Sequence, residues 1–296
     1  MKYSKLAYLA LSLLVACAGG GSACANSDAL VYQAGDTEIF AVCDAVSERN
    51  RDFLRGDEKL IKKLMPTETS SDGTVNVFAI KTKTDLILID AGWGLPRGNA
   101  LKHLEKFGIK PDKVTAVLFT HLHGDHVSGL LNEGKAVFPN AAIYLSQAER
   151  DYWFSDEEMN KHTNKAGFNL ARQEILAYAD RINTFEPGET ILPQITAVNL
   201  YGHTPGHVGF LLTAGTKHIL FWGDITHFTE VQMTAPEITV TYDINAPQAA
   251  STRLNILPWV ARENIFIGGS HLPTGLGKIT AAGDGSYLFK IVENLD

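Results

Sequence analysis

The sequence predicts an α/β fold in which two mixed β-layers pack face to face with helices outside. Three observations carry that reading. β-like runs and helical patterns alternate along the chain in two rounds. The apolar runs are short and bounded by glycine, proline or polar turn residues. Of the 296 residues, 45% are hydrophobic, enough to bury the core of one large domain. That domain is expected over residues 75–296, with the polar stretch 26–74 as an N-terminal extension packed on it and 1–25 as an export signal.

The first 25 residues have the form of a targeting segment: Lys2 and Lys5, the apolar run Leu6–Ala16, then small residues. The run is too short for a bilayer, which takes about 20 residues. Two exits compete. Leu14-Val15-Ala16-Cys17 resembles a bacterial lipobox, which would lipidate Cys17 and anchor the chain to a membrane; Ala23-Cys24-Ala25 resembles an ordinary cleavage site. Either sends the protein out of the cytoplasm, to a periplasmic, secreted or lipid-anchored place. Soluble cleavage leaves only Cys43, and lipid anchoring leaves Cys24 and Cys43 as a flexible candidate pair.

Two β-like runs follow, Val75–Ile80 and Leu86–Ile89, joined at Lys81–Asp85 as a hairpin. A helix is expected from Pro96 to Phe107, with Ala100, Leu101, Leu104 and Phe107 at helical spacing and Gly108 beyond its end. The strand Val114–Phe119 leads into residues 121–126. Ile143–Leu145 reads as a short strand, and Ser146 with Glu149 as a capping box opening a helix through Tyr152 and Trp153. Residues 156–180 read as amphipathic helix. Strands are expected at Ile195–Leu200, Val208–Thr213 and His218–Trp222, a helix at Pro247–Val260, and strands at Asn264–Ile267 and Tyr287–Val292. No internal repeat is visible.

Residues 121–126 read His-Leu-His-Gly-Asp-His, a ligand density that a structural core does not use. In extended chain His121 and His123 share one side and converge on one point. Asp125 and His126 sit where the chain turns into a helix near Gly124 and aim at a second point close by. Imidazole and carboxylate together suit zinc, and also manganese, iron, cobalt or nickel. Three later β-runs each end in a further candidate: His203 after Gly202, Asp224 after Gly223, and His271 two residues after Gly269. The formal charge of −7 argues against nucleic acid as a partner.

With these residues in order, the chain resembles the metallo-β-lactamase fold superfamily over roughly residues 75–292. The resemblance implies an αβ/βα four-layer sandwich of two mixed sheets with outer helices. It implies that His121, His123 and His203 hold one divalent ion, that Asp125, His126 and His271 hold a second, and that Asp224 bridges them. An aspartate at position 224 disfavours β-lactam hydrolysis, since members with that activity generally lack it. Within the superfamily the chain is similar to the methyl parathion hydrolase and lactonase branch. The segments carrying that likeness are Asp151-Tyr152-Trp153-Phe154-Ser155, Val240-Thr241-Tyr242-Asp243 with Ala249-Ala250-Ser251-Thr252-Arg253, and His271-Leu272-Pro273 with Gly275–Ile279.

The resulting expectation is an exported two-metal hydrolase, most simply a zinc enzyme, that opens a lactone or cleaves an activated ester. A hydroxide bridging ions about 3.5–4 Å apart would be the nucleophile, with Asp125 and Asp224 orienting it. Phosphotriester cleavage and a one-iron sulfur dioxygenase are the alternatives. Family likeness also suggests a homodimer. Trp153, Phe154 and Phe168 are candidates for an apolar substrate wall, against a reading as ordinary core. Asp90 either orients a metal-bound histidine or caps a turn, and His207 braces the His203 loop. His103, His162, His218 and His227 read as surface or supporting groups.

Overall fold

The structure is a computed structural model that describes residues 29–296, so the expected export signal, the Cys17 lipid site and the Ala25 cleavage site lie outside the described residues. The first sheet contains β1 (Ala29–Ala34), β2 (Thr37–Asn50), β3 (Thr69–Lys81), β4 (Leu86–Ile89), β5 (Ala116–Leu118), β6 (Ala142–Ser146) and β7 (Ile182–Phe185). The second contains β8 (Thr190–Leu192), β9 (Ile195–Asn199), β10 (Val208–Ala214), β11 (Lys217–Phe221), β12 (Phe266–Gly268), β13 (Gly277–Ala281) and β14 (Tyr287–Ile291). Strands in each sheet lie side by side in chain order. β1 to β4 form an antiparallel meander, and β4 to β7 then run parallel.

Alternation within the strands explains the layers. Phe78 and Ile80 of β3 and Ala116 and Leu118 of β5 face the second sheet, meeting Phe210, Ile219 and Phe221 in the central core. Phe78 and Phe221 bring their ring centroids to 5.0 Å. Their neighbours Val77, Ala79 and Val117 face outward against α2 (Ala100–Lys106), α4 (Gln147–Phe154) and α6 (Ala166–Leu176). A strand covered on both faces needs apolar residues throughout, which is why these segments read as continuous apolar runs. The outer face of the second sheet is covered by α8 (Ala246–Arg262), through Ile256, Leu257 and Val260. Each large side chain so buried contributes about 1.5–3 kcal/mol.

Residues 29–50 depart from the expected polar stretch, because β1 and β2 extend the first sheet. The run Ile39–Cys43 is only five residues between Glu38 and Asp44, and pairing with β3 is what buries it. Between β2 and β3, Leu54–Arg55 pairs with Thr239–Val240, and Ile61 and Met65 pack on Phe228 and Val231. These contacts carry the segment across to the second half of the chain. β13 had no separate expectation, and the helix expected from Pro96 starts at Ala100. No helix among the described residues is long and apolar enough to cross a membrane.

Candidate metal centre

The strand directions bring the ligand candidates to one edge. β9, β11 and β12 point the same way, since two antiparallel steps restore the direction and β11 pairs with β12 in parallel. Their carboxyl ends release His203, Asp224 and His271. Opposite them β4 and β5 release Asp90 and residues 121–126, with α3 (Gly124–Val127) starting inside the motif as expected. Crevices beyond the carboxyl ends of parallel strands are the usual ligand sites of such sheets.

Three overlapping groups of candidate ligand atoms result: the first of His121, His123, His203 and Asp224, the second of Asp125, His126 and His271, and a third of Asp224, His227 and His271. His123 Nδ1 stands 3.1 Å from His121 Nε2 and 2.9 Å from His203 Nε2. Asp224 Oδ2 is 3.6 Å from His121 Nε2 and 3.3 Å from His203 Nε2. In the second group His271 Nε2 lies 3.4 Å from Asp125 Oδ2, and His126 Nε2 3.8 Å from Asp125 Oδ1. Asp224 reaches this group too, at 3.1 Å from His271 Nε2 and 3.2 Å from His126 Nε2. Atoms about 2.0–2.2 Å from a tetrahedral ion stand about 3.3 Å apart, so the spacing fits shared metal ligation. His126 Nε2 and Asp224 Oδ1 are buried and have no hydrogen-bond partner, a costly arrangement that a cation between them would resolve.

Outer partners fix the rings. His126 Nδ1 donates to Asp90 Oδ2 at 2.8 Å, while Thr120 donates to both oxygens of the same carboxylate. Asp90, at φ 60°, therefore orients the His126 ring and braces the turn together. His203 Nδ1 donates to Asp243 Oδ1 at 2.8 Å, and His271 Nδ1 to the Thr74 carbonyl at 2.7 Å. Such contacts set tautomer and orientation, leaving the other nitrogen facing the centre. His207 braces as expected: Nδ1 donates to the Leu200 carbonyl, and Nε2 accepts from the Asp224 amide. Gly223 makes this approach feasible, because its φ is 57° and a Cβ there would lie 2.5 Å from His207 Nε2.

Electrostatics follow from burial among opposite charges. Burial alone opposes ionisation of Asp224, but His271, His126, His121 and His227 hold its carboxyl well below the usual range. Burial also opposes charge on His203, yet Asp224 and Asp243 push it up to about 9. His123, desolvated and beside His203, falls to about 3.

Three findings depart from the sequence reading. Trp153 and Phe168 are core residues, 4% exposed each, and Phe154 packs on the same cluster; none lines the cavity over the centre. Trp153 instead backs His123, with centroids 5.6 Å apart. The cavity, about 370 Å³, takes its apolar wall from Phe53, Val75, Trp93 and Tyr242. Next, His227 belongs to the site: its Nε2 is 3.0 Å from Asp224 Oδ2, and its ring lies 4.8 Å from those of His203 and His271. Its position three residues beyond Asp224, in the turn after a strand, was the available signal. His103, by contrast, is outside the cavity, with Nδ1 against the Cys43 carbonyl, and His162 meets the Tyr152 hydroxyl.

Finally, Ser146 caps α4 by accepting from the Glu149 amide, but the Glu149 carboxylate turns inward rather than back to the cap. It accepts from the Leu122 amide, Trp153 Nε1, Thr204 Oγ1 and the Gly206 amide, at 2.6–3.1 Å. Glu149 thus ties the 121–126 loop to the His203 loop. Arg253 does similar work behind Asp224, donating to the carbonyls of Ile225, Pro236 and Ile238.

Comparison with known proteins agrees with this geometry. The model of the metallo-beta-lactamase superfamily matches residues 71–258. The structure of hydrolase AbOPH, described as in the beta lactamase superfamily, is 29% identical, covers 90% of this chain and 98% of that one, and superposes with a TM-score of 0.82. AidC, a dizinc quorum-quenching lactonase solved with a homoserine product, covers the same shares at 23% identity and a TM-score of 0.81, a likeness of fold. Metallo-beta-lactamase domain-containing protein 1 of Mus musculus is 35% identical over 77 residues, 26% of this chain and 28% of that protein. The chain spans less than two thirds of the curated relatives it matches, reaching 59% for a probable metallo-hydrolase of Mycobacterium tuberculosis. Family match, sheet order and ligand geometry agree: the chain belongs to the metallo-β-lactamase superfamily.

Proposed function

We propose that the protein is an exported two-metal hydrolase of lactones or activated esters, related to the methyl parathion hydrolase and lactonase branch. The carrying observation is Asp224, whose one carboxylate lies within 3.6 Å of a ligand nitrogen in each of two His/Asp groups. His121, His123 and His203 would hold one ion, and Asp125, His126 and His271 the other, with Asp224 between. Zinc suits this thiolate-free imidazole and carboxylate set. When bound, two such ions would supply a water acidic near neutral pH and polarisation of the scissile group.

The chain's own contribution is positional. Asp90, Asp243 and the Thr74 carbonyl lock three rings, so the donor set is formed before substrate arrives. Asp125, with 21% of its side chain exposed, faces the cavity and is placed to orient the attacking water and accept its proton. Phe53, Val75, Trp93 and Tyr242 offer an apolar surface to the acyl or aryl group.

The test is a turnover panel of acyl-homoserine lactones, aryl esters, a paraoxon-type phosphotriester and a carbapenem on metal-replete protein, compared by kcat/KM. A lactone or aryl ester should lead. Leading phosphotriester turnover would replace the substrate assignment, and one iron per chain with oxygen consumed on persulfides would replace the hydrolase reading with the dioxygenase one.

A further inference from the structure

We propose that the cavity selects substrates whose acyl or aryl part is uncharged, with Glu48 at its mouth as the residue that turns away a carboxylate. This deepens the hydrolase reading and rests on it.

Residues 47–49 lie near the end of β2. A regular strand sends residues 47 and 49 to one face and 48 to the other. Here the register passes from Ser47 opposite Gly73 to Arg49 opposite Ser70, so that two residues of β3 stand against Glu48 alone in a bulge. Bulges re-aim side chains beside active sites, and all three residues line the cavity, with Glu48 exposed.

Arg49 is the single Lys or Arg among the described lining residues, and it is already engaged. It is 7% exposed; Nη1 donates to the His227 carbonyl and Nη2 to that of Thr74, at 3.1 Å, and its guanidinium lies 5.7 Å from the Phe228 ring centre. Those carbonyls flank the centre, so Arg49 holds backbone in place. Arg97 stacks on Trp93 at 3.5 Å but does not line the cavity. Apart from Glu48 and the His/Asp centre itself, the rest of the wall is apolar or neutral, with Phe53, Val75, Trp93 and Tyr242 in it.

A scissile ester placed over the His/Asp centre leaves its tail along this wall. A carboxylate on that tail would lose water without gaining a cation from the wall beyond the centre, and would face Glu48. An alkyl or aryl tail meets Phe53, Val75, Trp93 and Tyr242 at no such cost.

The experiment compares 4-nitrophenyl hexanoate with the mono-4-nitrophenyl ester of adipic acid, which carries a terminal carboxylate, on the metal-replete full chain. The neutral ester should lead in kcat/KM by at least about tenfold at low ionic strength, and added salt should shrink the ratio. Glu48→Gln should lower the ratio several-fold and Glu48→Lys further. A ratio near one in the unmodified protein, or a ratio indifferent to both substitutions and to salt, overturns the proposal. If neither ester turns over, ester hydrolysis itself fails. The charge preference is then read from quenching of tryptophan fluorescence by hexanamide and adipic acid monoamide, where equal affinities overturn it.

Discussion

The first sheet delivers His121, His123, Asp125 and His126 from a single loop after β5, whereas the second delivers His203, Asp224 and His271 from three strand exits separated by 20 or more residues. The difference lies in how position is secured. In the first half, backbone covalency keeps four ligands together, and Asp90 aligns the ring of His126. In the second half each ligand relies on its strand's place in the sheet and on contacts from elsewhere: Asp243 for His203, His207 for the Asp224 amide, and Thr74 of the first sheet for His271. The second set is therefore the one that folding must assemble, and its supports should respond most to mutation.

The most severe break should come from Asp224→Ala, which removes the carboxylate common to both groups. Activity should fall by at least about 100-fold, and elemental analysis should show metal content falling with it. Full activity with full metal would end the shared-ligand account. Next is Glu149→Ala, which cuts the tie between the two ligand loops and leaves the Leu122 and Gly206 amides unpaired in the interior. A loss of about 3–5 kcal/mol is expected by denaturant unfolding, the range for breaking a buried charged network. A loss under about 1 kcal/mol would show that the loops hold without it.

A direct comparison of the halves is Asp243→Asn against Asp90→Asn. Each should weaken metal binding by about 10- to 100-fold, measured by competition with a chelator. Asp243→Asn should cost more, because chain neighbours restrain His126 while His203 leans on Asp243; the reverse order would contradict the comparison.

The smallest effect is on pH dependence of the metal-free protein. His123, His207 and His227 are depressed to about 3 by burial, below their unfolded value near 6.5, so the stability they carry is lost as pH falls from 6.5 toward 3. His203 is raised to about 9, so its contribution is full below 6.5 and lost as pH rises through 9. Buried Glu174, raised to about 7 by desolvation, opposes the acid-side loss in part. The melting temperature of metal-free protein should therefore peak near pH 6–7 and flatten when metal is bound; a monotonic profile would show that other groups dominate.

Most elements near the centre were legible because their strands are buried on both faces and read as apolar runs, and because α3 and α4 carry their start signals in the sequence. The candidate ligands that the structure brings together were legible from the dense motif and its family pattern. Less legible were residues whose role depends on where a neighbour lies. Trp153 and Phe168 have the composition of a substrate wall, but α4 and α6 turn them into the core behind His123. Phe53, Glu48 and Arg49 come from a segment that reads as polar, and they reach the cavity through the bulge of β3 opposite Glu48 and the pairing of Leu54–Arg55 with Thr239–Val240.

By itself the sequence determined the layer order and the dense His/Asp motif, and it offered His203, Asp224 and His271 as candidate ligands, since periodicity, turn chemistry and residue type are local properties. Only the tertiary structure decided that Asp224 touches both groups of candidate ligands, that His227 joins them, that Glu149 ties two loops together and that the N-terminal strands supply part of the cavity wall. Those are distances between residues far apart in the chain, set by sheet order and packing, which no local pattern encodes.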